Sequence, residues 1–402
     1  MRNIILFDSD ARHDLLPLTA TRPMGEMRLG ILTFREKWER RLKGKVSYIT
    51  QEYLQEKYPI HIEDDNLIIN AGLLPTANLC DRILAMETNE ALLYEGELVA
   101  ARLNEGKFEQ LISEDEVHEL QGRELPDHIE LVRIQNLWDL VYLNGRALDE
   151  DFTLLTHDRS SQPLSDTNRV LGADNIFLEP GARVECATLN ATTGPIYIGK
   201  DAEVMEGCLL RGPLAVCEGA VIKMGAKVYG PTTIGPHSRA GGEVTRSLMF
   251  GYSNKGHDGF LGDSILGEWC NLGADSNNSN LKNNYSEVKL WNYTAERFEP
   301  TGKQFMGLVM GDHAKCGINT MFNTGTVVGV FCNVYGAGYP RNFIPDFSWG
   351  GPESGYKTYN FNDACETAQR VMERRSIPFT ELDKAILFHI YDRTARYRSW
   401  EK

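Results

Sequence analysis

The sequence predicts an α/β domain, followed by a parallel β-helix and a short helical tail. Three observations predict this order. The first third of the chain alternates short apolar strands with amphipathic helical segments, the central part carries an apolar residue every six positions, and the end contains two helical patterns with polar caps. A six-residue period fits neither an α-helix nor an alternating strand, and it is typical of a β-helix in which each hexapeptide forms one flat face.

The composition is that of an ordinary globular protein. The 402 residues suffice for two domains or more, and 42% are hydrophobic and 24% charged. The net charge of −14 argues against a nucleic-acid partner. The sequence contains no apolar run long enough to span a bilayer and no signal-peptide core, so we expect no membrane partner and a cytoplasmic location. The eight cysteines include no CxxC pair, so we expect no metal site.

The first domain is predicted to span residues 1–155. Its strands are predicted at 3–7, 46–49 and 67–71, and its helices at 30–43, 50–58 and 135–148. Strands that alternate with helices favour a parallel sheet. Residues 92–101 and 107–112 alternate apolar and polar side chains and predict a hairpin. A polar linker is predicted at 156–170.

The β-helix is predicted at 171–340, on two runs of apolar residues spaced by six. The runs comprise Ile198, Val204, Leu210, Val216, Ile222, Val228 and Ile234, and then Met310, Cys316, Phe322, Val328 and Val334; the register also appears at Leu266 and Leu272. We expect these residues to point inward, and the Gly that often follows them to supply backbone freedom at a turn. His237 and His313 fall at outward corners and are expected on the surface.

Two segments interrupt the repeat and one follows it. Residues 239–260 and 277–308 are long polar or aromatic loops, which in a regular solenoid usually carry the function. Residues 341–402 are predicted to be coil and then two helices, which begin near Asp363 and Thr380. Four cysteines at hexapeptide positions, Cys208, Cys270, Cys316 and Cys332, are expected to pack in the core.

One segment of the β-helix carries a motif. It reads HDGFLGDSILG at 257–267, NLGAD at 271–275 and SNL at 279–281. With this spacing it resembles the acetyltransferase half of the bifunctional bacterial enzymes that make UDP-N-acetylglucosamine from glucosamine 1-phosphate. The resemblance implies a left-handed β-helix, a homotrimer with sites between subunits, and acetyl-CoA as co-substrate. It also implies that His257 is the general base that takes a proton from the sugar amine, a role that suits an imidazole near pH 7.

The same resemblance implies further site residues. Those expected to contact the substrate are Asn271, Asn280, Arg246, Lys227 and Phe260, and those expected along the acetyl-CoA groove are Ala274 and Ala337. Arg246 and Lys227 would hold the sugar phosphate. Phe260 stands where the family has Tyr, so one hydrogen bond to substrate is lost or supplied elsewhere. From the residues alone, His257 could equally be a polar loop histidine and Asn280 part of a solvated loop.

The N-terminal segment carries a second, altered motif. LFDSDAR at 6–12 and LPLTATRP at 16–23 resemble the signature of sugar-phosphate nucleotidyltransferases, whose Gly-rich turn brings backbone amides to nucleotide phosphates. The resemblance implies a Rossmann-like fold, nucleotide-binding roles for Arg12 and Arg22, and Mg²⁺ if the domain is active. However, Ser9 and Ala11 replace the glycines, and Asn70 ends the strand after which the family has a metal-binding Asp.

These resemblances predict acetyl transfer from acetyl-CoA to the amine of an amino-sugar phosphate, coupled to uridylyl transfer from UTP that gives a UDP-N-acetyl amino sugar. The altered first motif leaves two interpretations of the first domain: a divergent active uridylyltransferase, or a domain that binds a sugar nucleotide or assists assembly. Two other functions remain for the whole chain. One is a sugar-nucleotide sensor or scaffold without catalysis, and the other is a nucleotidyltransferase whose β-helix only oligomerises.

Overall fold

The computed structural model describes residues 1–113, 121–126 and 128–401. The chain forms two compact units. The first comprises Met1–Leu15, Thr21–Met27 and Leu32–Asn136, and the second comprises Leu16–Ala20, Arg28–Ile31 and the chain from Leu137 onward. The helix Leu137–Thr156 therefore belongs to the second unit, whereas the sequence placed it in the first domain.

The first unit contains a six-stranded mixed sheet. Its strand order is Gly44–Ile49, Arg2–Phe7, Asp65–Asn70, Glu97–Asn104, Glu90–Tyr94 and Gln121–Glu124. The first three strands are parallel, and the fourth is antiparallel to the third. The helices are α1 (Ala11–Asp14), α2 (Phe34–Leu42), α3 (Glu52–Gln55), α4 (Ala77–Leu84) and α5 (Glu105–Ser113). Shorter elements lie at Met24–Glu26, a 3-10 turn, and at the strand Leu32–Thr33.

The predicted strands and helices of the first sheet are present, with one error. Residues 107–112, predicted as half of a hairpin, belong to α5. The hairpin instead joins Glu90–Tyr94 to Glu97–Asn104. The Asn104 side chain accepts a hydrogen bond from the Lys107 amide (2.9 Å), which starts a helix where the alternating pattern suggested another strand.

The second unit contains a parallel β-helix with three faces. The strands of the first face are Ile176–Leu178, Ile196–Ile198, Leu214–Val216, Thr232–Ile234, Leu248–Gly251, Ile265–Glu268, Leu308–Met310, Thr326–Val328 and Phe343–Ile344. Those of the second face are Arg183–Val184, Glu203–Val204, Val221–Ile222, Arg239–Ala240, Asn254–Lys255, Asn271–Leu272, Lys315–Cys316, Asn333–Val334 and Ser348–Gly351, with Gly355–Thr358 added antiparallel. Those of the third face are Arg169–Leu171, Thr188–Asn190, Leu209–Arg211, Lys227–Tyr229, Glu243–Thr245 and Phe260–Gly262, followed by the separate pair Asn277–Asn278 and Met321–Phe322.

The predicted fold class is confirmed: an α/β unit, a parallel β-helix and C-terminal helices. Every residue of the six-residue pattern is buried, and so are the four cysteines predicted in the core. The glycines after the inward residues have a different role from the one predicted, because they do not adopt positive φ. A Cβ on Gly199 would lie 2.6 Å from the Glu218 amide nitrogen, so glycine is needed there because successive coils approach closely.

The three edges of the β-helix differ in composition. Edge A, between the third and first faces, includes Arg246 and Asp263. Edge C, between the second and third faces, includes His257 and Ala274. Edge B, between the first and second faces, carries one aromatic residue per coil: His237, Tyr252, Trp269, His313, Phe331 and Phe347.

Stacking at edge B overturns the prediction that His237 and His313 lie on the surface. The rings form a continuous column, in which Tyr252 and Trp269 are separated by 4.3 Å and His313 and Phe331 by 4.6 Å between centroids. His313 is only 7% exposed. An outward corner is therefore not an exposed one in this chain, because each ring covers the next.

Three long helices and a hairpin complete the second unit. The helices are α6 (Leu137–Thr156), α7 (Phe361–Glu373) and α8 (Glu381–Arg393), with 3-10 turns at Ala173–Asn175, Ala395–Tyr397 and Ser399–Glu401. Thr380 and Asp383 form the predicted capping box of α8. Within the 277–308 interruption, the strands Lys289–Asn292 and Arg297–Pro300 form an antiparallel hairpin. The strand Arg28–Leu29 also belongs to this unit.

Candidate functional site

The outer surface of the third face aligns several of the predicted residues. Lys227, Glu243 and Phe260 are register partners on neighbouring strands. Strands lie about 4.8 Å apart, so Lys227 and Phe260 are about 10 Å apart along this column. Lys227 Nζ lies 3.7 Å from Glu243, and the Phe260 amide donates to Asn277 Oδ1 (2.8 Å). The face therefore combines a cation, a carboxylate and an aromatic ring.

A charged cluster occupies edge A, beside this face. Arg246 Nη2 lies 2.7 and 2.9 Å from the two carboxylate oxygens of Asp263, and Asn280 Nδ2 donates to the same carboxylate (2.6 Å). Asp263 is 1% exposed, whereas the Arg246 side chain is 36% exposed. Burial raises the pKa of Asp263, and hydrogen bonds from Arg246 and Asn280 oppose that rise. The carboxylate thus fixes a guanidinium that still reaches solvent.

The 277–308 interruption forms one wall of this cluster. It leaves edge A at Asn280 and returns at Met306, whose amide donates to the Asn280 carbonyl (3.0 Å). The Arg246 guanidinium lies 4.6 Å from the centre of the Phe305 ring. Tyr142 of α6 donates to the Phe305 carbonyl (3.0 Å), and Lys303 lies 4.7 Å from the Tyr142 ring. Edge A is therefore a basic pocket with aromatic sides.

Edge C carries His257 in the four-residue turn Gly256–Gly259. Its side chain is exposed, and its carbonyl accepts a hydrogen bond from Lys255 Nζ (2.6 Å). Ala274 occupies the next coil of the same edge, where its carbonyl accepts from the Asn319 amide (2.8 Å). Ala337 lies further along edge C, is exposed, and follows the strand Asn333–Val334. One edge therefore presents all three predicted residues.

The predicted residues thus divide into groups. Lys227, Phe260, Arg246 and Asn280 share the third face and edge A, whereas His257, Ala274 and Ala337 share edge C. Asn271 lies on the second face, where Asn254 donates to its side-chain oxygen (2.9 Å).

Sequence reasoning missed several residues around these sites. Asp263, which orients Arg246, was read only as part of the GDS motif. Tyr142 and Phe305 come from distant segments, and no local pattern connects them with edge A. Lys255 carried a signal, because a lysine interrupts a series of inward apolar positions.

The first unit contains a separate cavity at the carboxyl ends of its parallel strands. Its volume is about 360 Å³, and its walls include Ser9, Asp10, Asn70, Glu97 and Arg133. Ligands of α/β sheets commonly bind at this edge, beside the point where strand order reverses. Arg133 bonds Glu97 (3.0 Å) and lies 5.0 Å from the centre of the Tyr94 ring. An aromatic ring and a guanidinium therefore flank the cavity.

Arg12 and Arg22 do not line this cavity; both are buried. Arg12 donates to Asp8 (2.8 Å), to the Arg22 carbonyl (2.9 Å) and to Tyr53 (3.0 Å). Asp8 also accepts from Thr50 and from the Met24 amide. The structure therefore uses Arg12 to hold together the segments that follow the first strand, and Arg133 is the arginine among the described lining residues.

The residues around the cavity do not form a metal site. Asn70 Oδ1 accepts from the Gly72 amide (2.9 Å), Glu97 is paired with Arg133, and Asp8 is occupied by Arg12. In the described ranges no group of three or more His, Cys, Asp or Glu side chains is arranged to hold a metal ion. The Mg²⁺ implied by the nucleotidyltransferase resemblance therefore has no ligand set here. Across the same ranges, no helix combines the length and apolar character needed to cross a bilayer.

Known proteins resemble both parts of the chain. Residues 4–160 match the family of sugar nucleotidyl transferases. The chain is 37% identical over 90 residues to the bifunctional protein GlmU of Methanocaldococcus jannaschii, which is 22% of this chain and 21% of that protein. It is 27% identical over 144 residues, 35% of each, to the bifunctional sugar-1-phosphate nucleotidylyltransferase/acetyltransferase of Sulfurisphaera tokodaii. The predicted resemblance is confirmed, over alignments that span between a fifth and about a third of these relatives.

Two solved structures also match. AntD, an N-acyltransferase from Bacillus cereus in complex with dTDP and coenzyme A, is 10% identical with a TM-score of 0.23, over 52% of this chain and 87% of that one. The Arabidopsis UDP-N-acetylglucosamine acyltransferase is 12% identical with a TM-score of 0.21, over 57% of this chain and 96% of that one.

Proposed function

We propose that this chain is an enzyme that transfers an acetyl group from acetyl-CoA to the amine of an amino-sugar phosphate. The observation that carries the proposal is the exposed His257 on edge C, one strand width from a face that combines Phe260 with the cations Lys227 and Arg246. This arrangement offers a base, an apolar surface and phosphate ligands to one small molecule. The bifunctional names of the relatives support the same reaction class.

In this proposal the imidazole of His257 takes a proton from the sugar amine as its nitrogen attacks the thioester carbonyl. The new C–N bond forms as the C–S bond breaks, and the proton returns to the departing thiolate. Ala274 and Ala337 follow His257 along edge C, so an extended acyl carrier lying on this edge would pass all three. Asn271, on the adjoining face, would contact the acyl group or the sugar.

Arg246 is the proposed phosphate ligand. Its Nη2 engages Asp263, while Nε and Nη1 have no partner among the described residues. A guanidinium held from behind by a buried carboxylate keeps these donors aimed outward, which suits a phosphate dianion. Lys303 adds a second positive charge beside Tyr142. Asn280 would act with Asp263, since its amide is bonded to that carboxylate.

We also propose a homotrimer with shared sites. Edge C exposes large apolar side chains along several coils, including Met224 and Ile318, each 70% exposed, and Tyr335 and Tyr339 beside Ala337. A stripe of this kind on an otherwise polar surface marks an interaction site. A second copy seated there would cover the stripe and enclose His257. Sedimentation equilibrium tests this, and a monomer at micromolar concentration would contradict it.

For the first unit we propose binding of a sugar nucleotide in the 360 Å³ cavity. Arg133 would pair with phosphate and Tyr94 would pack against an apolar part of the ligand. Uridylyl transfer from UTP is the finer hypothesis for this unit. A turnover assay with UTP and an N-acetyl amino-sugar phosphate, with and without Mg²⁺, decides between transfer and binding alone. Retained UTP binding in Arg133→Ala would exclude the assigned role.

The acetyl transfer is tested with His257→Ala. Loss of a general base is expected to lower kcat by about 10²–10⁴-fold without changing the oligomeric state. His128→Ala, an exposed histidine of the first unit, is the matched control and is expected to keep wild-type acetylation. Wild-type activity in His257→Ala would refute the proposed base. A wild-type protein that binds acetyl-CoA without turnover would favour the sensor or scaffold, and one that turns over UTP alone would favour the nucleotidyltransferase with an oligomerising β-helix.

A further inference from the structure

Lys255 occupies a position that should be apolar. It lies in the inward column of the second face, between Ala240 of the preceding coil and Leu272 of the next. The other members of this column, Val204, Ile222, Cys316 and Val334, are all buried and apolar. Lys255 is 1% exposed. An ammonium group in the interior of a β-helix is costly unless its donors are all satisfied.

The ammonium group is satisfied by backbone oxygens of edge C. Nζ donates to the carbonyls of His257 (2.6 Å), Asp258 (3.1 Å) and Gly241 (3.3 Å). Three donors thus meet three acceptors. Two acceptors belong to the turn that carries His257, and the third belongs to the turn beneath it. Burial lowers the pKa of Lys255 to about 8, while Asp258 opposes that shift, so the group is mainly charged at neutral pH.

The irregular length of the preceding turn explains why a lysine fits here. Between Ala240 and the next strand lie only Gly241 and Gly242, whereas Gly256–Gly259 comprises four residues. The longer turn rests directly on the short one, since a Cβ on Gly242 would lie 2.7 Å from the Gly259 oxygen and 2.9 Å from the His257 oxygen. The carbonyls of the longer turn therefore face inward over a shortened coil, and Lys255 fills the gap.

We propose that Lys255 is a positioning residue that fixes the backbone of the His257 turn and so the direction of the imidazole. This inference rests on the proposed acetyl transfer for its catalytic consequence. The structural part stands without it, because the three hydrogen bonds hold the turn whatever the imidazole does. Lys255 does not reach solvent or the outer face and takes no part as a phosphate ligand.

The test compares Lys255→Met with the wild type in the full chain. Methionine keeps the length and removes the donors. Hydrogen exchange of the amides at 256–260 is expected to accelerate about tenfold or more, since each lost bond to a charged donor exceeds the free energy of a tenfold change. In the acetylation assay kcat is expected to fall by about 10²-fold with little change in KM for acetyl-CoA.

Lys315→Met is the matched control. Lys315 is another buried lysine, its Nζ donates to the carbonyl two residues earlier at edge B (His313, 2.8 Å), and burial lowers its pKa to about 8. Its removal is expected to leave exchange at 256–260 unchanged. If Lys255→Met does not fold, Lys255→Gln keeps one amide donor and is expected to restore folding with partial protection.

Unchanged exchange at 256–260 in a folded Lys255→Met or Lys255→Gln would overturn the inference. Faster exchange with wild-type kcat would also overturn it, because the turn would not need to be fixed for catalysis. Absence of acetylation in the wild type would refute the proposed function instead, and the exchange result would then still decide whether Lys255 holds the turn.

Discussion

The charged cluster at edge A yields a prediction with a magnitude. Asp263→Asn keeps the shape of the side chain and removes its charge. The carboxylate accepts from Arg246 and Asn280, and the substitution loses one bond to a charged donor and turns an amide N–H₂ toward another donor. Each effect costs about 1–3 kcal/mol.

Two facts reduce the expected loss. Burial raises the pKa of Asp263, so the native fold already bears a desolvation cost that the amide removes. The Arg246 side chain is 36% exposed, and water compensates part of its lost interaction. We therefore expect Asp263→Asn to lower the free energy of unfolding by about 2 kcal/mol, and a double-mutant cycle with Arg246→Met to give a coupling of about 1 kcal/mol.

The assay is urea unfolding of the four proteins of the cycle, followed by far-UV circular dichroism at neutral pH. Asp275→Asn is the control, because Asp275 has a similar left-handed backbone conformation in the same coil but is exposed. It is expected to change stability by less than about 0.5 kcal/mol. An Asp263→Asn protein as stable as this control, or a coupling near zero, would refute the idea that the buried carboxylate holds Arg246 in place.

Three further predictions concern the fold around the site. Gly242→Ala is expected to destabilise the protein by more than 2 kcal/mol and to displace the His257 turn; Gly225→Ala, at a similar φ with open space around it, is expected to cost only about 1 kcal/mol, and equal effects in urea unfolding would contradict the close contact. Trp269→Ala removes a ring that is 7% exposed and stacked at edge B, and is expected to cost about 3–5 kcal/mol; a loss below about 1 kcal/mol would show that the column does not stabilise the fold. Burial raises the pKa of Asp346 to about 6, so the folded state binds a proton more tightly than the unfolded state and stability should fall as pH rises from about 4 to 6. Asp346→Asn should therefore gain stability relative to the wild type by about 3 kcal/mol over that interval, and a pH-independent difference would refute the shift.

The sequence predicted the β-helix well because its period is set by geometry. Each inward residue contacts the same column on the coils above and below, so the requirement for an apolar side chain repeats at each coil. Ile198, Ile222 and Val328 are all completely buried, as the spacing requires. The role of glycine was mistaken, because a sequence reports small size and not whether size or φ is needed.

The sites were harder to predict because their parts come from distant segments. His257 and Asn280 were found through the spacing of one motif, whereas Tyr142 and Phe305 reach edge A from a helix and an inserted segment. The position of Arg12 was unexpected for a related reason. Its charge suggested a phosphate ligand, but Asp8 and Tyr53 lie close enough to bury it.

The irregularities of the repeat coincide with the proposed site. Inward residues of the second face are 18 positions apart from Val204 to Ile222 and from Ile222 to Ala240, and again from Cys316 to Val334. Between Ala240 and Cys316 the intervals become 15, 17 and 44, through Lys255 and Leu272. A solenoid gains stability from regular stacking, so each departure costs stability unless something compensates for it. The shortened turn, the buried lysine and the inserted wall all fall in this stretch, beside His257 and Arg246. Departures that cluster around exposed basic side chains are expected of a functional site and not of random drift in a scaffold. If the β-helix only oligomerised, restoring a four-residue turn after Ala240 together with Lys255→Leu should preserve the protein's assembly and stability, and should leave no enzymatic defect.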